Sequence, residues 1–415
     1  MKLDYGRTFI LGLGFFAISL SWALYNAFVP VFLDGLLADV AYKSTLIGII
    51  LTFDNIAAIT LQPYFGAKSD RTWNAHGRRM PYILVGMPLG ALFLALIPVF
   101  RSSFLAMITT LVLMNISMAV FRAPTVALMP DITPSPLRSK ANGVINLMGG
   151  LGALLAFFIG SLLYRANKGF PFYFAAVLMI LSTVALRLWI KETPAVEGTE
   201  KGDEAVGILG ALREVFSDED RSARAMLLAI FFWFVAWAGI EAFFTLYGKS
   251  VWGISEASAA FYLGFFSLAL VLSSIPAGIL ATSIGRGRTI KIGIVGLAAS
   301  LAALGFIGSG VKGVSIIVPA ILVVAGIFWA CININSYPMV VDMASRSKTG
   351  AYTGLYYLFS SMAAITGPPL FGLLKDILGA GSLFPFAVLC TLAALFSIGM
   401  VRKGDPIPAG EKMAQ

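Results

Sequence analysis

The sequence predicts an all-α polytopic membrane protein, with twelve transmembrane helices arranged as two six-helix pseudo-repeats. Three observations carry this reading. Of the 415 residues, 58% are hydrophobic and only 12% charged, with a mean hydropathy of +0.87, whereas a soluble domain carries about 25% charge. Apolar runs of roughly 20 residues recur along the chain, each long enough to cross a bilayer. Lys and Arg gather in alternate loops, as they do on the cytoplasmic side of membrane proteins.

Span 1 is expected at 7–33, behind Lys2 and Arg7. No small-residue cleavage site follows it, so it reads as a retained span rather than a signal peptide. Spans 2 and 3, at 44–66 and 80–99, enclose a polar stretch that holds Lys68, Asp70, Arg71, His76, Arg78 and Arg79. Spans 4, 5 and 6 follow at 104–128, 141–163 and 171–190. The longest break, 191–225, separates six spans from six. The domains are therefore a bundle over 1–190, a linker over 191–225 and a second bundle with a short tail over 226–415. Within the linker, "VGILGALREVF" is apolar at helical spacing and predicts a short amphipathic helix on the membrane surface. Spans 7 to 12 are expected at 226–248, 258–282, 289–308, 315–341, 350–374 and 384–401.

Orientation follows from the basic residues. Of the 30 Lys and Arg, seven (Lys43, Arg101, Arg165, Lys168, Lys249, Lys312 and Lys375) fall on one side and Arg122 falls inside a span. The other 22 fall on the opposite side, which places both termini in the cytoplasm and the protein in the inner or plasma membrane. The net charge of +9 is this bias. No soluble basic face exists for nucleic acid. Cys331 and Cys390 lie in apolar segments and predict neither a disulfide nor a metal site. With one histidine, His76, in a loop and no nucleophile motif, nothing resembles a catalytic constellation.

The halves echo each other. Gly77-Arg78 and Gly285-Arg286 are 208 positions apart, as are Arg138-Ser139-Lys140 and Arg346-Ser347-Lys348. Parallel six-span repeats of this kind describe the major facilitator architecture. The loop between spans 2 and 3 resembles that superfamily's signature through Gly66, Asp70, Arg71, Gly77, Arg78 and Arg79, with a longer gap before Gly77. Gly66 is expected to let helices approach closely. Asp70 is expected to pair with a loop arginine in a conformational gate that joins the halves on the cytoplasmic side. More narrowly, "QPYFGAKSD", "GRRMPYILVG", "SWALYNAFVPVFL" and "RAPTVALMPDI" resemble the sucrose–proton symporters and, more distantly, the glycoside:cation symporters. Met80 replaces that group's third arginine, and Arg122 precedes Pro124 where the group's arginine follows the proline, so its role is not carried over. In the second half the resemblance rests on "NSYPMVVD" and "GPPLFG". It implies a proton-coupled carrier of a glucoside or another sugar.

Asp54, Arg122 and Glu241 lie within spans, where a charge costs on the order of 2.5–3.5 kcal/mol and usually marks a pathway. All three are candidates for proton coupling. Asp54 lies about 15 Å and Arg122 about 27 Å from the outer ends of their spans, too far apart in depth for direct contact. Asn115 matches the depth of Asp54 and Gln62 that of Arg122, which predicts a polar track on spans 2 and 4. Sugar sites combine amides or carboxylates with aromatic faces. The candidates on spans 1, 4, 7 and 10 are Tyr25, Asn26, Asn115, Trp237, Glu241, Asn333, Asn335 and Tyr337, with Tyr356 and Tyr357 on span 11 as additions.

The expected function is secondary active transport by alternating access: a proton-coupled sugar symporter acting as a monomer, without cofactor, with sodium as the alternative coupling ion. Two other readings stay open. One is a proton-coupled exporter of small apolar compounds, and the other is a sugar-binding membrane sensor that does not transport.

Overall fold

The computed structural model describes residues 3–192, 208–217, 220–308, 310–344 and 348–404. Every expected span is a helix: Tyr5–Leu36, Lys43–Asp70, Met80–Leu96, Phe104–Ile132, Arg138–Ala166, Phe170–Trp189, Ser222–Ser250, Glu256–Ile284, Arg286–Gly305, Val314–Asp342, Thr349–Leu378 and Leu383–Gly399. Eleven are long and apolar enough to cross a membrane by length and composition, and the third, Met80–Leu96, is a shorter apolar helix. Leu105, Ile275, Ile316 and Phe396 stand exposed on these helices. Water would penalise such a surface, and lipid does not. Prolines such as Pro30, Pro124 and Pro276 sit inside helices, which neighbouring spans make tolerable in a bilayer.

The helices form two compact units. The first comprises spans 1 to 6 together with Phe244–Ser250 and Ile254–Gly264. The second comprises the linker helix, the remainder of spans 7 and 8, and spans 9 to 12. The unit boundary therefore does not coincide with the linker. Ends of spans 7 and 8 pack with the first unit, where Gly264 meets Phe158 and Glu256 pairs with Lys168.

Packing repeats between the units. A Cβ on Gly152 of span 5 would lie 2.3 Å from the Phe16 carbonyl of span 1, and one on Gly367 of span 11 would lie 2.7 Å from the Val235 carbonyl of span 7. Only glycine allows either approach. The loop glycines repeat too: Gly77 and Gly285 both have positive φ, +103° and +92°, a region that strains other residues.

Two irregularities escape the apolar pattern. Span 2 tightens at Thr52, whose N–H reaches the Ile49 carbonyl at 3.1 Å, so a fresh helical segment starts at Phe53. Span 5 contains a π turn over Ala156–Gly160. The linker helix runs Ile208–Ser217, close to the expectation, with Val206 and Gly207 outside the described residues. Its Phe216 stacks on Phe359 of span 11 at 6.5 Å.

Candidate functional site

In the first unit, Tyr25 of span 1, Asp54 of span 2, and Asn115 and Arg122 of span 4 form one polar neighbourhood. The break at Thr52 puts Asp54 in the first turn of a helical segment, where the positive helix end favours an acid. Its Oδ1 accepts hydrogen bonds from the backbone and side-chain nitrogens of Asn55, each at 2.6 Å. The Asp54 charge acts on both the Tyr25 hydroxyl and the Arg122 guanidinium. Arg122 has no hydrogen-bonded or ion-paired partner among the described residues, though the Asp54 charge reaches it. Tyr25 and Asn115 are buried and adjacent without reaching hydrogen-bond geometry, so the Tyr25 hydroxyl and both polar atoms of Asn115 are unpartnered. The same holds for Nε1 of Trp22, whose ring meets that of Tyr25 edge-on at 5.3 Å. Asn26 is half-buried beside this cluster on span 1.

The loop between spans 2 and 3 carries a denser network. Arg79 has 5% of its side chain exposed. It pairs with Asp131 at the end of span 4 (2.8 Å) and with Asp70, and it donates to Ser69 and to the Gly66 carbonyl at 3.3 Å. Arg78 grips the same Asp131 carboxylate from Nε (3.0 Å) and Nη2 (2.5 Å). Burial works against the Arg79 charge, but Asp131 and Asp70 outweigh it and hold its pKa above the ordinary value. Glu192, just past span 6, accepts the N–H groups of Arg78, Arg79 and Met80 at 2.8, 3.0 and 2.7 Å. A side chain on Gly77 would strike Glu192 at 2.5 Å.

Gly66 corrects an expectation. A Cβ there would meet only Ala123, at an ordinary 3.7 Å, so the residue contributes its carbonyl rather than a close helix approach. Arg71 is exposed. Asp131 and Glu192, the partners that organise the loop, were not among the expected site residues. The described pairings of this network lie within the first unit. In the second unit Arg286 pairs with Asp342 and donates to the Pro338 carbonyl, so each loop arginine binds the aspartate at the end of the span two further on. Arg346 and Ser347 of the second repeated motif lie outside the described residues.

The second unit holds the other candidates. Trp237 stacks on Phe266 of span 8 at 4.6 Å and on Trp329 of span 10 at 5.1 Å. Trp237 itself stays half-buried. Glu241 is half-buried one turn along the same face of span 7. The Nδ2 of Asn335 donates to the Cys331 carbonyl at 2.9 Å and the Ala277 carbonyl at 3.4 Å, which ties span 10 to span 8. Asn333 is half-buried. Tyr337, at the exposed edge, meets Thr353 at 3.2 Å and the ring of Tyr356 at 5.3 Å, and Tyr357 completes that cluster.

Twelve apolar spans in repeated bundles, with polar groups gathered inside them, define a membrane carrier. The model of the Major Facilitator Superfamily matches residues 11–368 and 249–412, and the chain belongs to that family. It is a multi-pass membrane transporter of small molecules, not an enzyme. Among its relatives, the class B tetracycline resistance protein of Escherichia coli is 25% identical over 332 residues, 79% of each chain. The human proton-associated sugar transporter A is 29% identical over 212 residues, 45% of this chain and 27% of that protein. The general alpha-glucoside permease of Schizosaccharomyces pombe is 30% identical over 154 residues, 33% of this chain and 28% of that one. The match thus spans under a third of the length of these two curated sugar transporters. Two solved structures share the fold: a nucleoside transporter (TM-score 0.77, 13% identity, 95% of this chain and 100% of that one) and a D-xylose-proton symporter (TM-score 0.73, 15% identity, 97% and 99%).

Proposed function

We propose that the protein is a proton-coupled sugar symporter, carrying a glucoside or disaccharide by alternating access. The observation that carries the reading is the buried, unpartnered Tyr25–Asn115 pair beside the Asp54 charge. It sets neutral hydroxyl-bonding groups next to an acid that can exchange a proton. The likeness to sugar transporters and the sugar-symporter loop "QPYFGAKSD" support it. In the cycle, Asp54 takes the proton on the outer side and Arg122 offers the ionised carboxylate a counter-charge when the proton leaves. The loop network of Asp70, Arg78, Arg79 and Asp131 is the gate that re-forms in each cycle. Glu241, Asn26 and Asn333 are further candidates for contact with the sugar, and no cofactor beyond the co-transported ion is required. The orientation we propose has both termini in the cytoplasm of a cell bounded by this inner or plasma membrane, with the monomer as the working unit.

A second reading, a proton-coupled exporter of apolar compounds, is favoured by the tetracycline resistance protein, which aligns over the larger share of the chain. Reconstituted vesicles separate the two. Symport predicts that an inward proton gradient concentrates a labelled glucoside inside and that an ionophore abolishes the accumulation. Gradient-driven movement of an apolar compound against the proton flow, with no sugar uptake, overturns the sugar reading.

A further inference from the structure

We propose that Trp22, Tyr25 and Asn115 read the hydroxyls of the substrate, and that the Asn115 amide selects ligands presenting a vicinal diol. The inference rests on the sugar reading and narrows it to a chemical pattern. It begins with a contrast on span 4. Thr110, Ser117 and Thr125 each donate to a carbonyl one turn back, at 2.7–2.8 Å, and so spend their polarity on their own helix. Asn115 sits among them, buried, with neither its oxygen nor its nitrogen bonded. The other buried asparagine, Asn335, shows what a packing amide looks like: its nitrogen is bound to two carbonyls.

A buried polar group without a partner costs about 1–3 kcal/mol. A side chain that only filled space would therefore be apolar. Here the cost recurs on four atoms from two spans: Nε1 of Trp22, the hydroxyl of Tyr25 and both ends of Asn115. Trp22 and Tyr25 are one turn apart on span 1, so their polar atoms share a face. A side-chain amide places an acceptor and a donor side by side in one plane. Adjacent hydroxyls on a ring match that pair, one donating to the oxygen and the other accepting from the nitrogen. Tyr25 can give and take a bond, and Trp22 only gives. The four atoms are enclosed, so a ligand enters only when the surrounding spans move, and such movement is the business of a carrier. Filling the site satisfies groups that are costly when it is shut, which ties occupancy to conformation.

The test uses the full-length protein with methyl glucoside, maltose and sucrose, plus monodeoxy analogues of whichever sugar binds. Binding is measured by calorimetry and by thermal shift. In the wild type, removing one hydroxyl of the recognised pair should weaken binding at least about tenfold. Asn115→Leu should weaken the parent sugar and bring the ratio of parent to deoxy affinity close to one. Tyr25→Phe, which removes a single oxygen, should weaken the parent while keeping the ratio set by Asn115, and it serves if the leucine variant folds poorly. If Asn115→Leu binds sugar with the wild-type ratio, or Tyr25→Phe binds as the wild type does, the inference falls and the sugar reading stands. If no sugar binds the wild type, both fall.

Discussion

At the residue scale, what matters is whether a polar side chain inside the membrane is already committed. Asp54 accepts two bonds from Asn55 yet still acts on Tyr25 and Arg122, which suits a group that changes protonation. Asp54→Asn keeps the shape and removes the titration. We expect uphill sugar uptake to vanish while exchange of labelled for unlabelled sugar continues, because exchange needs no proton release. Vesicle uptake and exchange on one preparation measure both, and accumulation at the wild-type level would move the coupling role to Glu241 or Arg122. Asp131 and Asp70 give a second comparison. Asp131 is 15% exposed and holds two arginines, while Asp70 is 54% exposed and holds one. Asp131→Asn should cost roughly 3 kcal/mol, as expected when one partner of a buried pair is removed. Asp70→Asn should cost under about 1 kcal/mol. Thermal unfolding in detergent checks the order, and equal losses would contradict it. That Asp54 and Asn115 are polar positions inside apolar spans was legible from spacing. Partner choice was not, since Asp131 and Glu192 are brought to the loop by folding over 52 or more positions.

At the scale of the element, helix existence follows directly from hydropathy, because a bilayer accepts few alternatives to a helix. What hydropathy does not register is a change of helical pitch. The tightening at Thr52, two residues before Asp54, and the π turn over the apolar Ala156–Gly160 carry no proline, and neither Thr nor "AFFIG" announces them. Glycine can be read from sequence only when its neighbours are known. Gly77 stood out within the loop motif, but the reason for it is the Glu192 carboxylate against its Cα and a φ of +103°. Gly77→Ala should therefore combine backbone strain with displacement of Glu192 and destabilise by about 1–3 kcal/mol. The start of span 3 should show it first, as faster hydrogen exchange at Arg78, Arg79 and Met80. Unchanged exchange there would mean that Glu192 does not hold this turn. Trp237 adds a further point: sequence places an aromatic on span 7, and only the structure shows that it stacks on Phe266 and Trp329 while staying half-buried.

At the scale of the whole molecule, the repeat is the feature the sequence shows most faintly and the structure most plainly. Two short matches at an offset of 208 were its only trace. The structure adds Gly152 with Gly367 and Asp131 with Asp342, 215 and 211 positions apart, while their partner arginines Arg78 and Arg286 keep the offset of 208. The charge bias predicts orientation, and labelling can test it. In a background lacking Cys331 and Cys390, cysteine at the exposed Ala75 should react only with reagent added from the cytoplasmic side. Cysteine at the exposed Ser102 should react only from the other side. Ser69 is a poor reporter, being buried and bonded to Arg79. Labelling of Ala75→Cys from outside would invert the topology.

The grip of Glu192 on the start of span 3 bears on how the chain is made. The carboxylate that closes this turn is translated 112 residues after Met80. Until the chain has passed span 6, the backbone N–H groups of Arg78, Arg79 and Met80 lack this acceptor, although Asp131 of span 4 already holds the two arginine side chains. A ribosome-bound intermediate arrested after span 5 should thus be cut near Arg78 by trypsin, while one arrested beyond Glu192 resists. The turn that opens span 3 is thus completed by a residue translated after span 6.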